Sequence, residues 1–174
     1  MNRITAYSIV LMGLTGLAAC GGPDVSEGHK VDASGKEATA LEALPDEVLA
    51  AALAAKPELS ITEAEYETRD GNEYYDVGGT LPDGSELELD MTKIDGVWTV
   101  VEFQRDIGMD LVPEGVAAVL EAGVPGWKPA RIIESDQGDG TVIYEFFGPG
   151  DEPVKHEISW RDDVAELLVD EWQH

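Results

Sequence analysis

Leu44-Pro45-Asp46-Glu47-Val48 recurs 68 residues later as Val112-Pro113-Glu114-Gly115-Val116, and that recurrence decides the fold. Pro57 meets Pro125 at the same offset, while Tyr75-Asp76-Val77 meets Tyr144-Glu145-Phe146 and Glu88-Leu89 meets Glu157-Ile158 at 69. The turn aspartates agree separately: Asp70, Asp83 and Asp95 stand against Asp139, Asp151 and Asp163 at offsets of 69, 68 and 68. Chance does not hold one spacing through so many unlike features, so the chain carries a tandem repeat.

Each unit opens with a helix. Pro45 and Pro113 suit a first helical position, where the missing N–H is no loss, and acidic residues follow in the first turn, where the helix dipole favours them. Leu44, Val48, Leu49, Ala52 and Leu53 form one apolar stripe, repeated by Val112, Val116, Ala117, Val119 and Leu120. Pro57 and Pro125 end the helices. Turn signals then recur every 12 or 13 residues, from Asp70-Gly71 through Pro82-Asp83-Gly84 and Asp95-Gly96 to their second-unit counterparts. That rhythm, with alternation such as Leu87, Leu89 and Met91, predicts short strands in an antiparallel meander. The expected fold class is α+β: two tandem repeats, each one helix packed on a roughly four-stranded antiparallel sheet. Residues 44–108 form the first repeat and 109–174 the second, with Val164–Trp172 read as a strand.

Outward from the repeat, the amino end is an address. Residues 1–20 read MNRITAYSIVLMGLTGLAAC: a basic Arg3, an apolar run from Ile9 to Leu17 too short to span a bilayer, then Leu17-Ala18-Ala19-Cys20. This resembles the lipobox of bacterial lipoproteins. The resemblance implies that residues 1–19 are a signal peptide, cleaved before Cys20, whose thiol then carries a diacylglycerol. Several acyl chains give the stable anchoring that one would not. Gly21 stands where an Asp would suggest inner-membrane retention, which implies an outer-membrane address facing the periplasm. Residues 20–43, poor in large aliphatics, read as a lipidated flexible tether.

Of 174 residues, 36 are Asp or Glu and 11 are Lys or Arg, a net charge of −25. A polyanion of this strength excludes nucleic acid as a partner, since affinity there rests on cations neutralising phosphates. One cysteine excludes a disulfide framework and a Cys-based zinc finger. Residues 45–108 carry −12 and 109–174 carry −11, so the charge belongs to both repeats rather than to a tail. Most acids alternate with apolar residues along strands, which reads as a solvated face.

Candidate chemistry is sparse. His29 lies in the tether, His174 is terminal, and His156 alternates with Val154, Ile158 and Trp160 as a strand residue would. No zincin, nucleophile-elbow or phosphate-loop motif occurs. No catalytic residue, metal ligand or cofactor is assigned, and the chain is read as a non-enzyme. Asp70-Gly71-Asn72-Glu73 and Asp136-Gln137-Gly138-Asp139 offer oxygen ligands in loops but lack the EF-hand spacing. Tyr74-Tyr75 and Phe146-Phe147 place adjacent aromatics on opposite sheet faces, which makes Tyr74, Tyr75, Phe146 and Phe147 the candidate partner-binding residues.

A helix opening at Leu44-Pro45, then Pro57, Ala64-Glu65, Gly71, Tyr75-Asp76-Val77, Asp83-Gly84, Glu86–Asp90, Gly96 and Val100-Val101-Glu102, is similar to the PepSY-like family, whose small envelope members are described as β-lactamase-inhibitor-like. Unit two departs at Gly150-Asp151 and Asp163-Val164. The resemblance covers residues 44–172 and implies a duplicated helix-on-sheet fold and a non-catalytic role; it transfers no catalytic residue. The functional expectation is a lipid-anchored module that binds or inhibits a basic-surfaced envelope protein through its sheet face. The alternative is an acidic calcium-binding or sensing lipoprotein.

Overall fold

A computed structural model describes residues 37–69, 71–150, 154–170 and 172. The signal peptide, Cys20, His29, the tether to residue 36, Asp70, Asp151 and His174 lie outside the described residues. Among those described, no helix is long and apolar enough to cross a membrane.

The order is β1 (Glu37–Ala38), α1 (Asp46–Ala55), β2 (Ser60–Arg69), β3 (Asn72–Thr80), β4 (Glu86–Ile94), β5 (Val97–Asp106), α2 (Glu114–Gly123), β6 (Arg131–Asp136), β7 (Val142–Phe147), β8 (Lys155–Arg161) and β9 (Val164–Leu167). All nine strands join one antiparallel sheet in sequence order. The α+β class is thus as expected, and the two repeats share a single continuous sheet through the β5–β6 pairing. Pro45 and Pro113 sit one residue earlier than expected, as extended N-caps whose carbonyls accept the first helical N–H bonds.

Each helix covers the same side of the sheet. Leu44, just before α1, and Val48 and Ala52 from α1 meet Ala64, Tyr75, Val77, Leu89 and Met91; Val116 and Leu120 from α2 meet Ile132, Tyr144, Phe146 and Ile158. Burying each large aliphatic is worth about 1.5–3 kcal/mol. Leu49 and Leu53 stay partly exposed, so the apolar stripe of α1 is wider than the face it buries.

The repeat starts earlier than the motif that revealed it. Glu37 pairs with Tyr66 and Ala38 with Glu65, and 68 residues on Arg105 pairs with Glu134 and Asp106 with Ile133. The Thr39 N–H donates to the Ala64 carbonyl as the Ile107 N–H donates to Ile132. Residues 37–43 therefore belong to the fold rather than to the tether, and β1 stands to unit one as the end of β5 stands to unit two.

The ladder also revises one alignment. Asp76 pairs with Asp90, and Glu145, its counterpart at offset 69, pairs with Glu157. Asp90, not Glu88, is thus the structural equivalent of Glu157, at offset 67. Gly78 pairs with Glu88 as Phe147 pairs with Lys155, so Glu88 corresponds to Lys155. The β3–β4 hairpin thus carries two more residues between these paired acids than the β7–β8 hairpin does.

Candidate functional site

Side chains alternate across a strand, and residues paired in register share a face. On the face away from α1 this places Glu65 beside Asp76, Asp76 beside Asp90, and Asp90 beside Glu102, a row of four carboxylates across β2 to β5. Like charges directly opposite on adjacent strands destabilise a sheet. The neighbouring row adds Glu63 and Glu88.

This surface is not the simple solvated face expected from alternation. Asp76, Glu102 and Glu67 are buried, at 8%, 4% and 9% exposure. Carboxylate oxygens of Asp76, Glu88 and Asp90 all lie within 4.8 Å of one another, a spacing suited to a bound cation. Gln104 donates its side-chain amide to Asp90 at 3.2 Å, and Gln137 donates to Glu102 at 2.7 Å.

In unit two a lysine stands among the equivalent positions. Lys155 lies 3.2 Å from Glu145 and 2.6 Å from Glu157. Burial works against the charged ammonium, but the hydrogen bond to Glu157 and the charge of Glu145 prevail and hold its pKa above the ordinary lysine value. Burial raises the Glu145 carboxyl, against the opposing pull of Lys155. The backbone N–H of Trp172 donates to Glu157 at 2.6 Å and its indole N–H to Gln137 at 3.0 Å, so Trp172 lies over this half of the face.

The four candidate aromatics divide between the two faces. Tyr75 and Phe146 join the helix-side cores. Tyr74 and Phe147 do face away from the helices, but Tyr74 lies beneath one cation and Phe147 near two. The Arg69 guanidinium is 4.6 Å from the Tyr74 ring, and Arg131 and Lys155 are 5.8 and 5.9 Å from that of Phe147. Phe147 is only 7% exposed. Neither forms a bare apolar anchor.

The loop acids considered as calcium ligands serve their own turns and neighbours instead. Glu73 pairs with Lys93 and accepts the Tyr66 hydroxyl; Asp136 accepts the Gly138 N–H; Asp139 accepts the Thr141 N–H and pairs with Arg161. His156 packs edge-on against Trp127, ring centres 4.9 Å apart. A cavity of about 290 Å³ beside α2 is lined by Met109, Leu120, Trp127 and Ile132, with Glu121 and Lys128 its ionisable groups. The carboxylate row was missed in the sequence, although Glu63-x-Glu65-x-Glu67 and Glu86-x-Glu88-x-Asp90 announce it at period two.

Comparison of the chain with family models, curated proteins and solved structures finds no match.

Proposed function

We propose that this protein is a non-catalytic binding module that receives a basic partner surface on the acidic sheet face of its first repeat. The carrying observation is the cross-strand row Glu65, Asp76, Asp90 and Glu102, with Glu63 and Glu88 in the row beside it, which gathers negative charge on one face of the first repeat. Complementary charge gives rapid, salt-sensitive association. The lipobox-like Cys20 supplies the membrane attachment in this reading, so a partner in the bacterial envelope, such as a hydrolase with a basic rim, fits the likeness to PepSY-like modules.

Calorimetric titration of the full chain with hexalysine tests the charge requirement. Saturable binding at low ionic strength that weakens steeply by 0.15 M salt is expected, roughly following the screening of exposed charges. A chain that takes up no hexalysine at low salt contradicts the reading. A second reading, a divalent-cation site, is favoured by the spacing of Asp76, Glu88 and Asp90. Saturable calcium uptake by these residues at physiological ionic strength would establish it.

A further inference from the structure

The repeats also diverge on the helix side of the sheet. Helices α1 and α2 align at an offset of 68, which sets Leu49 against Ala117, Leu53 against Glu121 and Ser60 against Lys128. Where the first unit carries two leucines, the second carries a smaller side chain and a charged one. Both line the cavity of about 290 Å³, with Leu120, Trp127 and Ile132. Leu120 and Ile132 are buried, so the cavity has an apolar floor, and Lys128 stands exposed on its lining.

Lys128 differs from the other described cations. Every other described lysine and arginine pairs with a carboxylate or, like Arg69, lies over an aromatic ring. Among the described residues, the Lys128 side chain forms no ion pair, hydrogen bond or ring contact. A chain with 36 acidic residues does not leave a lysine unpaired for want of carboxylates. The acid on the same lining, Glu121, instead accepts the Gly126 N–H at 3.1 Å, in the turn after α2.

We propose that this cavity binds a small apolar acid, a medium-chain carboxylate whose tail lies on Leu120, Trp127 and Ile132 and whose head meets the Lys128 ammonium. The site is independent of the acidic far face. An apolar lining with one charged group suits an amphiphile, and a cavity of this size takes a ligand of about ten non-hydrogen atoms. The long lysine stem lets the ammonium swing to the head, and the charge-assisted bond fixes its orientation. One ammonium beside Glu121 matches a single negative charge; a doubly charged phosphate would leave charge unmatched against that carboxylate.

Nitrogen–proton correlation spectra of the full chain, titrated with sodium octanoate below its micelle concentration at 0.15 M salt, test the site. Saturating shifts centred on Ala117, Leu120, Trp127 and Lys128 are expected, with a Kd of about 0.1–1 mM. Lys128→Gln is expected to weaken octanoate about three- to tenfold, while Lys56→Gln, the same charge change outside the cavity, stays within about twofold. Octanol, the neutral counterpart, should bind the parent about three- to tenfold more weakly than octanoate and ignore Lys128→Gln. Ala117→Leu, which grafts the first unit's residue onto the lining, should cost about tenfold or more with the melting temperature held. Absence of saturable shifts, or shifts centred elsewhere, overturns the site. Octanol binding as tightly as octanoate, or equal losses in Lys128→Gln and Lys56→Gln, overturns the carboxylate contact. Parent-like binding by a folded Ala117→Leu overturns the cavity. Should that variant not fold, nuclear Overhauser contacts between the octanoate methyl and the Trp127 ring support the cavity, and their absence overturns it.

Discussion

Lys155 bridges two carboxylates on the second unit's far face. Removing its charge leaves Glu145 and Glu157, both mostly buried, facing each other across β7 and β8. Lys155→Gln is expected to cost about 2–4 kcal/mol at pH 7, read as a lowered melting temperature. The pH dependence follows from the directions of the shifts. A carboxyl raised in the fold, as Glu145 is, favours folding below its unfolded value of 4.5 and costs stability as pH rises through its folded value. The deficit of Lys155→Gln should therefore shrink below pH 4.5, and a deficit constant from pH 7 to 3.5 contradicts the pairing. The ammonium's own contribution is fully present below 10.5 and is lost as pH rises through its raised folded value. Tyr144 offers a separate check at alkaline pH. Burial, the charge of Glu134 and the hydroxyl's bond to it push the phenol up to about 12. Its neutral form favours the fold below 10, and that stability is lost as pH rises from 10 through 12. Absorbance titration at 295 nm should show one transition near 12 that disappears in Tyr144→Phe.

At the scale of elements, glycine placement constrains the strands. A Cβ at Gly79 would collide with the Ser60 carbonyl, where β2 bulges between Ile61 and Glu63. Gly79→Ala is expected to destabilise by about 1–3 kcal/mol in urea unfolding, and a neutral result contradicts the close approach. The helices, prolines, turns and strand order were legible because each rests on local chemistry: Pro45 and Pro57 bracket α1, and Asp95-Gly96 adopts the positive φ that a two-residue hairpin requires. In unit two the equivalent turn is Asp162-Asp163, with φ of 51° and 63°, and not Asp163-Val164 as the repeat spacing of 68 suggested. Strand register was not legible. The β3–β4 hairpin is two residues longer between its paired acids than β7–β8, so Glu88 matched Glu157 in sequence although Asp90 is its equivalent in the ladder. Without register, the row from Glu65 to Glu102 looked like ordinary surface alternation. The start of the fold was hidden for a similar reason: Glu37 and Ala38 resemble Arg105 and Asp106 in pairing, not in side chain.

For the molecule as a whole, nearly equal charge in the two repeats conceals unequal faces. Unit two neutralises its central acids with Lys155 and lays Trp172 across them, whereas unit one lines up carboxylates over four strands. In the proposed reading, that row makes the first unit the binding half. The net charge also sets where such a protein rests: an anionic membrane surface repels it, so attachment falls to the lipid proposed on Cys20. The most direct measurement is a nitrogen–proton correlation spectrum of the isotope-labelled chain titrated with hexalysine at low salt. Saturating shifts concentrated at Glu65, Asp76, Glu88, Asp90 and their strand neighbours, with Glu145 and Glu157 nearly still, are predicted. Shifts centred on the second unit, or spread evenly over helices and sheet, would contradict a binding face in the first repeat.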